Sequence, residues 1–171
     1  MNFKKLVLCA ATVCALVAVA VAQMNANRGT AEATIKGKKI SINYGRPSLK
    51  GRDIFSMVQP GAVWRLGMNQ ATQIETAADL VVTGKDVGAG KYTLWLKKTG
   101  ADSWVLAFHP KTGVWGMPEL KEGYIAELPL KTEKVADSAE QLTISLADNK
   151  GKADIKIQWG TAALTGSFDV K

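Results

Sequence analysis

Apolar and polar residues alternate along most of the chain, and the alternation is clearest between residues 31 and 44. Every second residue there is apolar on both sides of the dipeptide Gly37-Lys38. Period-two alternation around a two-residue turn with glycine is typical of a β-hairpin. The pattern therefore predicts two paired strands near the start of the domain.

Further short segments of this kind follow at intervals of about 8 to 12 residues. No segment keeps the 3.6-residue apolar period of a helix for more than about two turns, so helix is expected only as one short piece at 53–57 or 138–141. About nine or ten strands predict an all-β fold, a single-domain antiparallel β-sandwich with one long irregular loop region. After the hairpin, the predicted strands are 72–76, 80–83, 91–98, 103–109, 124–130, 142–146, 155–159 and 164–170.

The long loop region, residues 44–72, departs from this rhythm. It holds three arginines and three aromatic residues between closely spaced glycines and prolines. Glycine and proline at this density predict an irregular but well-defined path rather than regular structure. Residues 110–123 have a similar composition and are expected to form a second loop, and residues 84–90 form a turn-rich connection.

The N-terminus has the pattern of a secretory signal peptide. Lys4 and Lys5 precede an uncharged apolar segment, residues 6–22, which ends in Ala20-Val21-Ala22. A charged start, an apolar middle and small residues at the end are what a signal peptidase recognises. A retained membrane anchor is the alternative, because the apolar run is at the short end of the roughly 17 to 25 residues that span a bilayer.

Cleavage after Ala22 divides the chain into three parts. Residues 1–22 are the predicted signal peptide, residues 23–29 a flexible N-terminus and residues 30–171 the β-sandwich domain. The mature protein is then expected to be exported, periplasmic or secreted, and to have no membrane span. Its length fits one domain with a substantial core.

Both cysteines, Cys9 and Cys14, lie in the predicted leader. The mature chain would therefore have no disulfide, no thiolate nucleophile and no cysteine-ligated metal. Without the leader, 20 Lys and Arg residues remain against 15 Asp and Glu residues. The lysines are scattered, so this surplus is ordinary solubility charge or a weak attraction to anionic envelope polymers, and no nucleic-acid partner is expected.

The strongest candidates for a binding site lie in the long loop. Guanidinium groups close to aromatic rings can hold carboxylate, phosphate or sulfate in a bidentate manner, and indole faces beside polar groups suit sugar rings. The alternative is that each guanidinium pairs with Asp53, Glu75 or backbone carbonyls and pins the loop to the sandwich. The predicted ligand-binding residues are Arg46, Arg52, Trp64, Arg65 and Asn69.

Tyr44, His109 and Trp115 are secondary candidates. His109 is the only histidine and stands where a strand meets Pro110, so it has no evident partner for catalysis or metal binding. Trp115 belongs to the second loop and could face the first. No metal site and no cofactor are predicted.

No catalytic constellation can be recognised in the sequence, so an enzyme is less favoured than a binding protein. There is no Gly-x-Ser-x-Gly motif and no phosphate-binding glycine loop. Paired carboxylates could support a hydrolase, with Asp53, Glu75 and Glu119 as the first residues to check, but their spacing in space is not visible in a sequence. The hypotheses are therefore a binding module for an anionic or polar ligand or an envelope component, a structural interaction domain of the envelope, and a carboxylate-dependent hydrolase.

Several motifs, taken in order along the chain, resemble those of a known family. They include Tyr44-Gly-Arg-Pro-Ser48, Lys50-Gly-Arg52, Val63-Trp-Arg65, Asn69, Ala89-Gly-Lys-Tyr-Thr-Leu94 and Trp115-Gly116. Together they resemble domain of unknown function 2911, a family of bacterial exported proteins, over about residues 30–170. Val87-Gly88 stands where Leu-Pro is usual in this family, and His109 stands where Asn is common. The resemblance implies an exported β-sandwich domain without an established activity.

Overall fold

The computed structural model describes residues 27–117 and 119–171, and this part of the chain is almost entirely β-structure. The predicted leader, residues 1–22, lies outside the described residues. The elements are β1 (Arg28–Ile35), β2 (Lys38–Gly45), α1 (Ile54–Met57), β3 (Val63–Trp64), β4 (Thr72–Thr76), β5 (Leu80–Val82), β6 (Lys85–Val87), β7 (Gly90–Lys98), β8 (Trp104–His109), β9 (Ala126–Asn149) and β10 (Lys152–Val170).

All ten of these strands join one antiparallel sheet. The order is β1-β2-β4-β7-β8-β9-β10-β5-β6, and the short β3 pairs with β7 beside this path. The first residues of β9 pair with β8, and the rest of β9 pairs with β10. The sheet folds over on itself, so that the Tyr44 hydroxyl of β2 contacts the backbone of Ile144 in β9. The predicted antiparallel all-β fold of about nine or ten strands is confirmed.

Two tight turns explain why the hairpins form where they do. Lys36 and Gly37, between β1 and β2, have φ values of 50° and 73°, and Lys150 and Gly151, between β9 and β10, have φ values of 54° and 86°. A two-residue turn with positive φ at both positions matches the right-handed twist of the strands it joins. Glycine supplies this conformation at little cost at the second position.

The long hairpin of β9 and β10 differs from the prediction, which divided it into four strands. Residues 134–143 of β9 face only residues 158–162 of β10, with register shifts on both sides of Gly160. The surplus residues of β9 are mostly exposed and polar. They lack alternation, so no strand was predicted there. The one short helix was expected at 53–57 or 138–141, and residues 138–141 are strand. A β-bulge of this kind bends the strand and increases its twist.

The predicted short helix at residues 53–57 is confirmed as α1. Its N-cap is Asp53, whose Oδ1 accepts a hydrogen bond from the Ser56 backbone N–H at 3.4 Å. Phe55 is buried and packs edge-on against Trp104, with ring centroids 5.4 Å apart. Burial of such a side chain contributes about 1.5 to 3 kcal/mol. The helix therefore fastens the middle of the long loop to β8.

A second, smaller apolar cluster holds the second loop. Trp95 is fully buried on the outer face of β7, beside Ala71 and Ala107. Half-buried residues of the second loop, including Val114 and Leu120, pack over it. The indole Nε1 of Trp95 donates to Thr93 Oγ1 at 3.0 Å, so its polar atom is satisfied. This cluster brings residues 110–125 against the long loop.

Candidate functional site

Gly45, the last residue of β2, is the point against which the long loop folds back. A Cβ at this position would lie 2.1 Å from the backbone oxygen of Met68, so no other residue fits without moving the backbone. Gly67 is also close on the other side, since a Cβ there would lie 2.9 Å from Gly45 O. The turn at residues 66–69 therefore rests on the end of β2.

Arg28 lies directly across the hairpin from Gly45 and binds to the same turn. Its Nε donates to Asn43 Oδ1 at 2.6 Å, and its Nη1 donates to Gln70 O at 3.4 Å. Burial lowers the pKa of the Arg28 guanidinium below its ordinary value because desolvation disfavours the charged form. Sequence analysis missed this arginine because residues 23–29 were expected to be flexible. Extending the hairpin register would have placed it opposite Gly45.

Arg65 connects the two loops. Its Nε donates to Gly67 O at 3.3 Å, and its Nη1 lies 3.5 Å from Trp115 O, at the long limit of a hydrogen bond. A Cβ on Gly116 would lie 2.3 Å from Arg65 Cδ, so the arginine stem fills the space that a side chain would need. The backbone N–H of Ala71 also donates to Val114 O at 3.0 Å. We call residues 65–71 and 114–116 the loop junction.

The loop junction carries an exposed tryptophan whose backbone contacts an arginine. Trp115 is 53% exposed, whereas Arg65 and Asn69 are half-buried. Asn69, in the turn at residues 66–69, has a φ of 62°, a left-handed conformation that asparagine tolerates better than most residues. The sequence suggested that Trp115 could face the long loop, and in the structure its backbone oxygen lies 3.5 Å from Arg65 Nη1.

Arg46 and Tyr44 lie elsewhere, between β2 and β9. The Tyr44 hydroxyl accepts from Ile144 N at 3.0 Å and is 3.4 Å from Ile144 O. Arg46 Nε lies 3.5 Å from Leu142 O. Tyr44 is buried, and the Arg46 stem covers Gly29, where a Cβ would lie 2.7 Å from Arg46 Cδ. The contacts of both residues are those of structural links between two strands.

Arg52 lines a small depression at the other end of the long loop. Its Nε donates to Leu49 O at 3.0 Å and its Nη2 to Ser48 O at 3.3 Å, which fixes the turn before α1. The depression has a volume of about 180 Å³. We call it the recess, and it is lined by Leu49, Arg52, Asp53, Ser138, Trp159, Gly160, Thr161 and Ala162.

Trp159 forms the apolar part of the recess and is only 6% exposed. The Trp64 indole stacks on it, with centroids 5.7 Å apart and an interplanar angle of 10°. Among the described residues, the buried Trp159 Nε1 has no hydrogen-bond partner. Trp64, a predicted ligand residue, therefore reaches the recess only through Trp159. No sequence signal marked Trp159, because it occupies an ordinary apolar position in a predicted strand.

His109 is 9% exposed and belongs to the packing of the second loop. Its Nδ1 accepts the backbone N–H of Lys111 at 2.9 Å, and its ring meets Tyr124 edge-on at 5.7 Å. Burial, and then the Glu127 carboxylate, raises the pKa of Tyr124 to about 12. Both rings help to hold the second loop in place, and their hydrogen bonds go to Lys111 and Leu120 rather than to the loop junction.

The carboxylates considered for hydrolysis have different partners. Asp53 caps α1, Glu75 forms an exposed ion pair with Lys91 at 3.3 Å, and Glu119 belongs to the second loop. Within residues 27–117 and 119–171, no group of three or more metal-ligating side chains is placed to hold an ion. None of the predicted site residues lines the wider groove of about 630 Å³ on the long hairpin, whose walls include Leu128, Lys131, Glu133, Ser145, Lys156 and Thr165.

Fold and site together define a class: an all-β antiparallel domain in which two loops pack against each other at a half-buried arginine and an exposed tryptophan. The model of the family described as protein of unknown function (DUF2911) matches residues 26–168. The chain belongs to this family, as the loop motifs indicated. No curated protein and no solved structure matches the chain. No helix in its described part is long and apolar enough to cross a membrane.

Proposed function

We propose that the protein is an exported binding module that holds a ring-shaped anionic or polar ligand at the loop junction. The observation that carries this proposal is the loop junction, where Trp115 is 53% exposed and its backbone oxygen lies 3.5 Å from Nη1 of the half-buried Arg65. Tryptophan is enriched at interaction sites because a partner can bury its large ring while its N–H finds an acceptor.

The charge of Arg65 supports an anionic ligand. Every ion pair between described residues is made by a lysine, so neither Arg65 nor Arg28 has a carboxylate partner there. Their hydrogen bonds go mainly to carbonyl oxygens, which hold the guanidinium group but leave its charge uncompensated. Arg65 uses two of its five N–H donors in this way, so three are free for a ligand.

The Trp115 ring supports a ligand with a flat or ring-shaped face. An indole beside a guanidinium group can stack on a sugar ring while the guanidinium binds a carboxylate on the same ring. Such groups occur together in acidic sugars, the units of many anionic envelope polymers. The junction is already fixed by Gly116 and by the Ala71 to Val114 hydrogen bond, so little order needs to be gained on binding.

A thermal-shift and calorimetric titration with three probes tests the proposal. Glucuronate has both ring and carboxylate, glucose only the ring, and acetate only the carboxylate. Glucuronate should bind most tightly, and at 100 times its dissociation constant it should stabilise the protein by about 2.7 kcal/mol. Arg65→Gln and Trp115→Ala should each weaken its binding by roughly tenfold or more, because each removes one of the two contacts.

Lys111→Gln is the matched control, since it removes one positive charge from the same loop without touching Arg65 or Trp115. It should leave the affinity for glucuronate nearly unchanged. If Lys111→Gln weakens binding as much as Arg65→Gln, the attraction is a general surface charge effect. If none of the three probes binds the folded protein, the proposal for this ligand class is wrong.

A structural role for the arginines is the second candidate, because Arg46, Arg52 and Arg65 each donate to backbone carbonyls. On this view the domain is an envelope interaction module without a small-molecule site. Arg46→Gln and Arg65→Gln would then lower the melting temperature by similar amounts and change no binding signal. Loss of glucuronate binding in Arg65→Gln but not in Arg46→Gln would favour the binding module.

A further inference from the structure

We infer that the recess beside Trp159 is a second binding site, for a small zwitterion of amino-acid size. The recess is separate from the loop junction, and the inference does not rest on the proposed function. Three observations support it: an unsatisfied indole N–H, two unpaired opposite charges and a small volume.

The unsatisfied group is Nε1 of Trp159. This atom is buried and has no partner among the described residues, whereas Nε1 of Trp95 is equally buried and donates to Thr93 Oγ1. A buried donor without an acceptor is costly, and folded proteins rarely leave one without a reason. Nε1 is closed to solvent in the structure, but other atoms of Trp159 line the recess, so we infer that a ligand oxygen bound there reaches this donor once the lining side chains shift.

The two charges are those of Arg52 and Asp53, which line the same recess. Neither forms an ion pair with the other or with any charged group in the described part of the chain. Arg52 Nη1 and Asp53 Oδ2 have no hydrogen bond there, although other atoms of both side chains do. The recess therefore has one positively and one negatively charged side chain, and hydrogen bonds to the backbone hold both in place.

The two opposite charges determine which ligand fits the recess. A carboxylate fits the free edge of the guanidinium group and can also accept the indole N–H, and an ammonium group fits the Asp53 carboxylate. A simple anion would face Asp53, and a simple cation would face Arg52. The volume of about 180 Å³ is below the roughly 300 to 1,000 Å³ of sites for drug-sized ligands. A free amino acid satisfies all of these conditions.

The test uses the purified full chain and three matched probes. L-Alanine has both charges, propionate lacks the ammonium group and ethylamine lacks the carboxylate. Intrinsic tryptophan fluorescence and calorimetry should detect binding of L-alanine, with propionate and ethylamine weaker by roughly tenfold or more. If L-alanine does not bind, or if either single-charge probe binds as tightly, the inference is overturned.

Three variants locate the signal. Arg52→Gln and Asp53→Asn should each weaken L-alanine binding by roughly tenfold, and Asp53→Asn keeps the helix N-cap because asparagine is an equally good cap. Trp159→Phe should weaken L-alanine binding, and its melting temperature should be higher than that of Trp95→Phe. Lys50→Gln, which removes an exposed neighbouring charge outside the recess, should change neither L-alanine binding nor the melting temperature. Binding that survives in both Arg52→Gln and Asp53→Asn would contradict the site.

Discussion

The chain places an arginine near a tryptophan at two corners, the loop junction and the recess, and these two corners differ in how far the tryptophan is buried. At the loop junction Trp115 is 53% exposed and its backbone oxygen contacts Arg65, and at the recess Trp159 is 6% exposed and lines the same depression as Arg52. Both guanidinium groups donate to backbone carbonyls. The same pair of residue types therefore forms an open stacking surface in one place and a small polar recess in the other.

A hydrogen bond to a backbone carbonyl therefore does not by itself show whether an arginine has a structural or a functional role. Such a bond fixes the guanidinium plane but leaves its charge and several of its donors available. What distinguishes the corners is the rest of the lining: the recess has a carboxylate, Asp53, and an unsatisfied indole N–H. The junction offers a ring face and no acidic partner among the described residues.

The largest expected effect comes from Gly116→Ala, which breaks the junction. Gly116 has a φ of 86°, and its Cβ would lie 2.3 Å from Arg65 Cδ and 2.6 Å from Arg65 Cβ. Strain and clash together should cost about 2 to 4 kcal/mol in urea unfolding. Gly113→Ala, in the same loop, has a φ of 69° but nothing within 4 Å, so it should cost only about 1 kcal/mol. Equal costs for both variants would show that Arg65 does not pack beneath Gly116.

Tyr44→Phe tests whether this secondary candidate belongs to the loop junction or to the recess. Its hydroxyl satisfies the buried backbone N–H of Ile144 at 3.0 Å, so its loss should cost about 1 to 3 kcal/mol of stability. Binding of glucuronate and of L-alanine should stay unchanged. Tyr92→Phe, which loses a more exposed bond to Gly88 O, should cost about 1 kcal/mol or less. A Tyr44→Phe protein with full stability but no ligand binding would reverse the assignment.

Trp159→Phe and Trp95→Phe sharpen the contrast between an unsatisfied and a satisfied indole. Both changes remove buried volume, but Trp95→Phe also loses the hydrogen bond to Thr93, whereas Trp159→Phe removes an unpaired donor. Trp95→Phe should therefore be less stable than Trp159→Phe by about 1 to 2 kcal/mol, measured by urea unfolding. The reverse order would mean that Trp159 Nε1 finds a partner in solution.

The smallest effect at neutral pH concerns the loop that carries Trp115. Burial raises the pKa of Tyr124 to about 12, above the value of about 10 in an unfolded chain. The neutral phenol is therefore favoured in the fold, and its contribution is present below pH 10 and lost as the pH rises from 10 to 12. The melting temperature of the wild type should fall more steeply in this window than that of Tyr124→Phe. Parallel curves would contradict the shift.

Local patterns explain why much of the fold was predictable. Alternation located β4, β7 and β8 to within a residue or two, and the glycine turn near residue 37 located the first hairpin. The fusion of four predicted strands into β9 and β10 was not predictable, because residues 131–141 are polar and their pairing depends on a distant bulge. The short β6 was missed for a related reason: three residues between glycines carry too little pattern.

The candidate site was predictable only where residues lie close together in the sequence. Arg65 and Asn69 were grouped as candidates from their spacing, and the suggestion that Trp115 lies near the long loop agrees with the contact between its backbone oxygen and Arg65. The prediction also grouped Arg46 with these residues, but its side chain lies against β9, where its Nε is 3.5 Å from Leu142 O. Trp159 occupies an ordinary strand position, and its unsatisfied N–H exists only because of the three-dimensional packing around it.

A ¹⁵N–¹H spectrum of the full chain shows whether the loop junction and the recess are separate binding sites. The chain has five tryptophans, so five indole signals can be assigned with single Trp→Phe variants. Glucuronate should move the Trp115 signal, and L-alanine should move the Trp159 signal, each leaving the other in place. If both probes move the same indole, or neither moves any, the account of two distinct arginine and tryptophan sites is contradicted.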